Sequence, residues 1–367
     1  PGWIKTVDEY YNDQVQYILN NVISELENNK NYRFVWSEVV YLKKWYEAAS
    51  QSDQKKLQGL VELGQFEFVG GGWVMNDETS PTYTQIIDQM SLGHQWLMKT
   101  FKKGPTSGYQ IDTVASSSFP VLLSQMGLKY HIINRIDDRL KYQFQSIPDS
   151  GKYPKDKLFE FYWQGSTSLP NDRVFTHIYD HHYSPPEYEE NGKEYGFDFE
   201  NGGEKNPPIT KDNIEDRCMQ FADYVKRVVK GYRTKHLLVP MGNDFSYVNS
   251  RIWFENMDKM IEEINNHPEK YGIKMVYSTL ESYFKSVTDY IDKLRIPIPV
   301  KTAMDDDYVS YTNCWASELD KFDDCIAYWS GYYTTYPGFK LMTREVEALL
   351  RTSQNIFVIA KSQRGLE

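Results

Sequence analysis

The sequence predicts an α/β fold with a barrel-like parallel sheet. Short apolar segments alternate with helical stretches, which implies parallel pairing of the strands. These segments are short and largely apolar, as expected when helices cover both faces of a sheet. Several of them end in polar or glycine-rich turns, which would gather carboxylates at one rim. At 367 residues the chain is too long for one small core, so we expect one large domain and part of another.

The first helix is predicted to begin at a capping box. The Thr6 hydroxyl can accept a hydrogen bond from the Glu9 N–H, while the Glu9 carboxylate reaches back to Thr6. Apolar residues then recur at helical spacing as far as Leu26. Strands are predicted at residues 34–36, 66–69, 109–111, 131–133, 174–178, 237–239 and 273–277. Further helices are predicted at residues 86–101, 119–126, 257–264 and 280–287.

The pattern changes after about residue 290. Prolines at 297 and 299 exclude a helix there, and helical spacing returns from about Gly338 to Ile359. We therefore predict an α/β domain over residues 1–315 and the beginning of a helical domain over residues 316–367. The segment 190–212 is rich in glycine, proline and charge, and reads as a long surface loop that either flanks a site or is a mere insertion.

Charge and composition narrow the function. The formal net charge of −10 argues against a nucleic-acid partner, because phosphate binding needs a basic face. No apolar run approaches the ~20 residues of a membrane span. The cysteines Cys218, Cys314 and Cys325 lack metal-binding spacing, and a disulfide between Cys314 and Cys325 stays an open alternative.

Asp112 is the first candidate for chemistry. It follows the predicted strand at residues 109–111 and precedes the helix at 119–126. Carboxylates at the carboxyl ends of strands commonly serve catalysis in α/β proteins. An aspartate in this place also commonly caps the next helix, and the local sequence leaves both interpretations open.

Five blocks of sequence carry a family resemblance. They are PGW at 1–3, GGGWVMNDE at 70–78, IDQMSLGHQWL at 87–97, MGNDFSYVNSRIWFENMDKMI at 241–261 and YWSGYYTTYP at 328–337. In this order and spacing they resemble the class II α-mannosidases of glycoside hydrolase family 38, and GNDFSY is closer to the lysosomal type. The resemblance implies a seven-stranded β/α barrel followed by the start of a three-helix bundle.

The resemblance also implies an activity and a site. It implies a retaining exo-α-mannosidase that hydrolyses terminal α-mannosyl residues of N-glycans and other oligosaccharides. Asp112 matches the nucleophile, which is also a zinc ligand, and Asp244 matches the general acid/base. We expect these carboxylates to lie about 5–5.5 Å apart, as in other retaining pairs. Trp3, Arg135 and Tyr183 match substrate-binding residues.

The resemblance implies a Zn²⁺ cofactor whose other ligands lie outside this chain. The family supplies a His-x-Asp pair just before Pro-Gly-Trp and a further histidine beyond the C-terminal residue of this chain, so Asp112 alone of four ligands is present. His181 and His182 are adjacent on an extended segment and point opposite ways, so they rarely bind one metal together. We interpret them as loop residues.

One departure from the family supports an alternative function. The family continues its nucleophile strand as IDPFGHS, whereas this chain has IDTVASSS at residues 111–118. The altered turn raises the alternative of a catalytically inactive relative that binds mannose-rich glycans. By resemblance we expect the lysosome or another secretory-pathway compartment, and the sequence leaves the oligomeric state open.

The chain by itself is expected to be inactive and to bind zinc poorly. A catalytic zinc site needs at least three protein ligands, and the resemblance assigns this chain one. Zinc titration by calorimetry and hydrolysis of an aryl α-mannoside measure the two properties. Sub-micromolar zinc binding or measurable hydrolysis by this chain would contradict the expectation.

Overall fold

The computed structural model describes residues 3–145, 158–190, 193–302, 307–312 and 328–364. The strands in these ranges are, in chain order, β1 Phe34–Trp36, β2 Phe66–Phe68, β3 Ser107–Gln110, β4 Tyr130–Ile133, β5 Glu160–Gln164, β6 Arg173–Ile178, β7 Glu187–Glu190, β8 Lys193–Gly196 and β9 Val300–Thr302. The α-helices are α1 Val7–Tyr10, α2 Gln16–Asn28, α3 Val39–Ala48, α4 Gln51–Glu62, α5 Tyr83–Phe101, α6 Ser118–Gln125, α7 Asp138–Gln145, α8 Ile214–Val228, α9 Ser250–Asn266, α10 Pro268–Tyr271, α11 Leu280–Leu294 and α12 Pro337–Gln363. The predicted α/β class is confirmed.

The largest sheet among the described residues has the strand order β3-β4-β6-β5-β9. β3 pairs with β4, and β4 with β6, in parallel as predicted. β5 was not predicted and runs antiparallel to β6. Residues 165–172 connect the two strands, and this link is too short for the crossover of a dozen or more residues that parallel pairing requires. The expectation of parallel pairing is therefore wrong for this pair.

Two smaller sheets accompany the large one in the described ranges. β1 and β2 pair in parallel, and the Gly70 N–H donates to the Ser107 carbonyl of β3 at 2.7 Å. β7 and β8 form an antiparallel hairpin that reaches into the segment 190–212, for which the sequence predicts a loop. Together these described strands do not close a barrel, so the seven-stranded barrel stays a proposal.

Two predicted strands are not strands in the structure. Residues 237–239 and 273–277 have no ladder partner among the described residues. Their side chains do pack on the main core, as Val239, Met275 and Tyr277 show. The apolar residues in these two segments therefore indicate contact with the core and not a strand. A strand also needs a neighbouring strand to accept its hydrogen bonds.

The main core is built by amphipathic helices around β1 and β2. Leu19 and Leu26 of α2, Leu42 of α3 and Trp253 of α9 have no solvent exposure. The predicted capping box precedes them: the Glu9 N–H donates to the Thr6 hydroxyl, and the Thr6 N–H to the Glu9 carboxylate. Trp3 and Tyr10, on either side of the capping box, line the cleft described below.

The C-terminal helix α12 lies against the start of α5. Arg351 donates to Asp88 at 2.9 Å, and Arg344 donates to the Ser80 carbonyl at 2.7 Å. Apolar side chains of α12 such as Leu349 and Phe357 remain exposed. A helical bundle is not evident in the described part of the chain, and the boundary near residue 315 stays a prediction.

Cys218 of α8 is a buried free thiol, whereas Cys314 and Cys325 lie outside the described residues, so a disulfide between them stays an open alternative.

Within the described ranges, every helix is too short or too polar to cross a bilayer.

A glycine on α5 fixes the turn that follows β2. A Cβ on Gly93 would lie 2.1 Å from the Gly71 carbonyl oxygen, so only glycine allows this approach. The Trp73 N–H donates to the Gln89 carbonyl of α5 at 3.0 Å, and a His94 ring nitrogen lies 2.9 Å from the Gly70 carbonyl oxygen. The turn and the residues after it are thus held on the helix.

Gly93→Ala is expected to destabilise the protein by about 1–3 kcal/mol, because the added methyl overpacks the turn. Helix propensity alone predicts the opposite sign, by about 1 kcal/mol. Gly59→Ala in α4 is the matched control, since a Cβ there meets nothing within 4 Å and should stabilise the helix. Urea denaturation measures both changes, and stabilisation by Gly93→Ala would show that the turn yields freely.

Candidate active site

The carboxyl ends of β1, β3 and β4 open into one cleft of about 2120 Å³. All five predicted site residues line it, namely Trp3, Asp112, Arg135, Tyr183 and Asp244. Glu38, which follows β1, lines it as well. The structure therefore brings the polar strand ends together in the way the sequence pattern predicted.

Asp112 does not cap the following helix. α6 begins at Ser118, and the Ser117 N–H at its start donates to Asp307 at 2.9 Å. The Asp112 carboxylate instead faces the cleft, with half of its side chain exposed. Of the two alternatives that the sequence left open, the capping one is wrong.

Arg135, just after β4, holds one oxygen of Asp112. Its Nη2 and Nε atoms donate to Asp112 Oδ1 at 2.6 and 2.9 Å, and Nε also reaches the Asp112 backbone oxygen at 3.0 Å. The arginine side chain is nearly buried, which strengthens the ion pair. Oδ2 takes part in none of these bonds and is left for another partner.

Aromatic rings surround the Arg135 guanidinium. Its central carbon lies 4.3 Å from the ring centroid of Trp329, 5.3 Å from that of Tyr311 and 5.6 Å from that of Tyr183. Such cation–π contacts stabilise a cation that has lost part of its water. Sequence reasoning missed Tyr311 and Trp329 as site residues. Trp329 lies in the block YWSGYYTTYP, which offered a signal, whereas Tyr311 had none.

Tyr183 connects the two candidate catalytic carboxylates. Its hydroxyl donates to Asp112 Oδ1 at 3.1 Å and lies 3.5 Å from Asp244 Oδ2. Both carboxylates are therefore within reach of one hydroxyl at the same end of the sheet.

The two carboxyl groups have different surroundings. Burial raises the pKa of Asp244 above its usual range, and the negative charge of Asp112 raises it further. Tyr183 and Arg135 act in the opposite direction on the pKa of Asp244, without cancelling the rise. Asp112 has the direct ion pair with Arg135, in which Nη2 lies 2.6 Å from Oδ1. The surroundings of Asp244 thus hold its proton to higher pH than an ordinary aspartate would.

The turn that departs from the family pattern is braced by the end of GGGWVMNDE. The Ser116 N–H donates to Glu78 at 2.9 Å, and the Ser116 hydroxyl also bonds Glu78. The Thr113 hydroxyl donates to the Asn76 carbonyl at 3.0 Å. Burial raises the pKa of Glu78 to about 7, although donors from Ser116 and Gln110 lower it. Sequence reasoning missed Glu78, whose place in a quoted block was the available signal.

Trp3 is 86% exposed at the edge of the cleft, and its role as a sugar subsite stays a prediction.

His181 and His182 do not line the cleft that Asp112 faces. Burial lowers the pKa of His181 to about 4 and that of His182 to about 3, and the His181 carbonyl accepts from Lys141 at 2.7 Å.

The donor set of the cleft can be compared with what a zinc ion requires. Within the described ranges, no group of three or more His, Cys, Asp or Glu side chains could hold a metal ion. Asp112 offers one carboxylate oxygen, which is not a donor set. The described residues alone therefore do not fit a zinc centre.

Comparison with known proteins agrees with the motifs. Residues 1–313 match the Glycosyl hydrolases family 38 N-terminal domain. Alpha-mannosidase B of Dictyostelium discoideum is 38% identical, with 98% of this chain and 35% of that protein covered. Lysosomal alpha-mannosidase of Dictyostelium discoideum is 34% identical (99% and 34% covered), and human Alpha-mannosidase 2 is 32% identical (99% and 32% covered).

A solved structure supports the fold alone. An alpha-mannosidase from Enterococcus faecalis V583 superposes with a TM-score of 0.59 at 19% identity, covering 81% of this chain and 28% of that one. The chain spans about a third of the length of the curated relatives it matches. Because the family match covers most of the chain, the chain belongs to glycosyl hydrolase family 38.

Proposed function

We propose that the protein carrying this chain is a retaining exo-α-mannosidase acting on terminal α-mannosyl residues of N-glycans and other oligosaccharides. The observation that carries the proposal is the pair Asp112 and Asp244, which share the Tyr183 hydroxyl in one cleft. A retaining glycosidase needs two carboxyl groups beside the scissile bond, one as nucleophile and one as acid and base. The names of the relatives supply the sugar, since they are alpha-mannosidases.

The proposed reaction has two balanced steps. Asp112 Oδ2 attacks the anomeric carbon, the bond from this carbon to the leaving oxygen breaks, and Asp244 gives its proton to that oxygen. Water then attacks the same carbon and gives a proton to Asp244. The bond to Asp112 breaks, and mannose leaves with retained configuration.

The surroundings suit these roles. Arg135 and Tyr183 bind Oδ1 of Asp112, so Oδ2 is the oxygen free of those bonds. Rings on Arg135 hold the guanidinium in place without competing for the carboxylate. The raised pKa of Asp244 keeps its proton to higher pH, as a general acid needs.

Zinc is proposed for the full-length protein only. Asp112 would contribute one ligand, and the others would come from outside the described residues. There the ion would bind sugar hydroxyls and steady the carboxylate. A seven-stranded barrel belongs to the same proposal, with further chain pairing beside β1.

A secretory-pathway compartment is proposed on the relatives alone, one of which is named as lysosomal.

The inactive glycan-binding alternative rested on the altered turn at residues 113–116. In the structure Glu78 and Asn76 hold that turn, and Asp112 still faces the cleft. This favours the enzyme.

Asp112→Asn in the full-length protein is expected to abolish hydrolysis of aryl α-mannosides, because an amide is a poor nucleophile. Mannose binding should survive in part, so a binding assay serves as the control for folding. Full activity in this variant would remove Asp112 as the nucleophile. Absence of hydrolysis by the wild type, with mannoside binding retained, would favour the inactive alternative.

Asp244→Asn is expected to lower kcat/KM by about 10²- to 10⁴-fold for substrates with poor leaving groups, and far less for activated ones. In the wild type, activity on poor leaving groups should fall as the pH rises through the raised pKa of Asp244, because the acid loses its proton. That fall should disappear in the variant. Equal losses on both kinds of substrate would argue against Asp244 as the acid.

Tyr183→Phe is expected to lower kcat/KM about 10- to 100-fold, since hydrogen bonds to charged groups contribute about 1.5–3 kcal/mol. The variant keeps the ring beside Arg135 and removes only the hydroxyl. Tyr17→Phe, at a half-exposed tyrosine of α2, is the matched control and should change nothing. Unchanged kinetics in Tyr183→Phe would mean that the shared hydroxyl does not order the carboxylates.

A further inference from the structure

The backbone just after Asp244 adopts an unfavourable conformation. Phe245 has φ 57° and Tyr247 has φ 74°, both in the left-handed region that side chains other than glycine rarely adopt. Such a backbone conformation is strained, so surrounding contacts must hold these residues in place. The Ser246 N–H donates to the Asn243 carbonyl at 3.0 Å, which closes the turn around Asp244. The position of the Asp244 carboxyl group depends on this turn.

One carboxylate holds the far end of the turn. Glu200 Oε2 accepts from the Tyr247 N–H at 2.6 Å and from the Trp253 indole N–H at 2.9 Å. Glu200 Oε1 accepts from the Asn249 N–H at 2.7 Å, directly before α9 begins at Ser250. A negative charge at a helix N-terminus is stabilised by the unpaired N–H groups there. Three donors thus converge on one side chain.

Glu200 is held in place by its own segment, residues 190–212. The sequence left two interpretations of this segment open, a loop that flanks the site or an insertion. The Glu200 N–H donates to Asp198 at 3.2 Å, and the buried Asp198 N–H donates to Asn206 at 3.0 Å. The Gly196 N–H, at the end of β8, donates to the Lys205 carbonyl at 2.7 Å. The segment is therefore braced internally and presents Glu200 from a fixed position.

We infer that Glu200 is a positioning residue for the general acid, and that the segment 190–212 flanks the active site. It acts through the backbone of Tyr247 and Asn249, which sets where the Asp244 carboxyl lies relative to Tyr183 and Asp112. The inference rests on the proposed function, because it concerns the acid of that reaction. Glu200 touches none of the three side chains directly, so its effect is indirect.

The test is Glu200→Gln in the full-length protein, assayed on two aryl α-mannosides. The amide keeps the shape but has one acceptor oxygen, so at least one of the three N–H donors loses its partner. We expect kcat/KM for a 4-methylumbelliferyl mannoside to fall at least tenfold more than for a 2,4-dinitrophenyl mannoside, since the more basic leaving group of the former depends more on the acid. Hydrogen exchange at residues 245–249 should quicken in the same variant.

Glu204→Gln is the matched control, because Glu204 is an exposed carboxylate of the same segment. It should leave both substrates within twofold of the wild type. A loss that is equal for both substrates in Glu200→Gln would show a role in the scaffold alone, and no loss would show no role; either result overturns the inference.

Should Glu200→Gln fail to fold, Glu200→Asp provides the test. It keeps the charge at the start of α9 but shortens the side chain, so the turn must shift to keep its bonds. The same leaving-group-dependent loss is expected, and an equal loss or none overturns the inference. A wild type that hydrolyses neither mannoside overturns the proposed function and the inference with it. An active wild type with an equal loss in the Glu200 variants overturns the inference alone.

Discussion

The site depends on the ion pair between Arg135 and Asp112. A carboxylate at a strand end could turn toward its own backbone or toward the next helix. Two nitrogens of Arg135 bind Oδ1 and prevent the carboxylate from turning away, and one of them also binds the Asp112 backbone oxygen. Because the arginine is nearly buried, it must keep its partner or leave an uncompensated charge inside the protein. The rings of Tyr311 and Trp329 hold the arginine in place. The packing around Arg135 therefore determines the orientation of the Asp112 carboxylate.

The two halves of the site are built by different means. Asp112 stands beside a regular parallel sheet, where β3 and β4 place it and Arg135 next to each other. Asp244 stands on an irregular turn, with left-handed residues and no strand neighbour among the described residues. Regular pairing suits a group that must stay ionised and fixed. An irregular turn can bring a group into less hydrated surroundings, which raises the pKa that an acid requires.

Sequence reasoning succeeded where local patterns determine structure. The capping box at Thr6 and the strand Phe34–Trp36 follow from residues that are close in sequence. The end of a predicted strand brought Asp112 to attention and a family block brought Asp244, and the structure places both in one cleft. Sequence reasoning failed where neighbours distant in sequence decide. Residues 237–239 are apolar but pair with no strand in the described part of the chain, and β5 runs antiparallel because its connection to β6 is short. Glu78, Glu200 and Tyr311 were missed for the same reason, since their partners are distant in sequence.

The aromatic surroundings of Arg135 have a consequence for the order of folding. The contact between Arg135 and Tyr311 joins residues 176 positions apart, and Trp329 lies further along the chain. Closing a loop of this length costs entropy before the contact contributes anything, so contacts of high sequence separation form slowly. The β3–β4 pairing is local by comparison and can form early. A chain emerging from the ribosome would therefore present Asp112 and Arg135 well before the rings that hold the arginine.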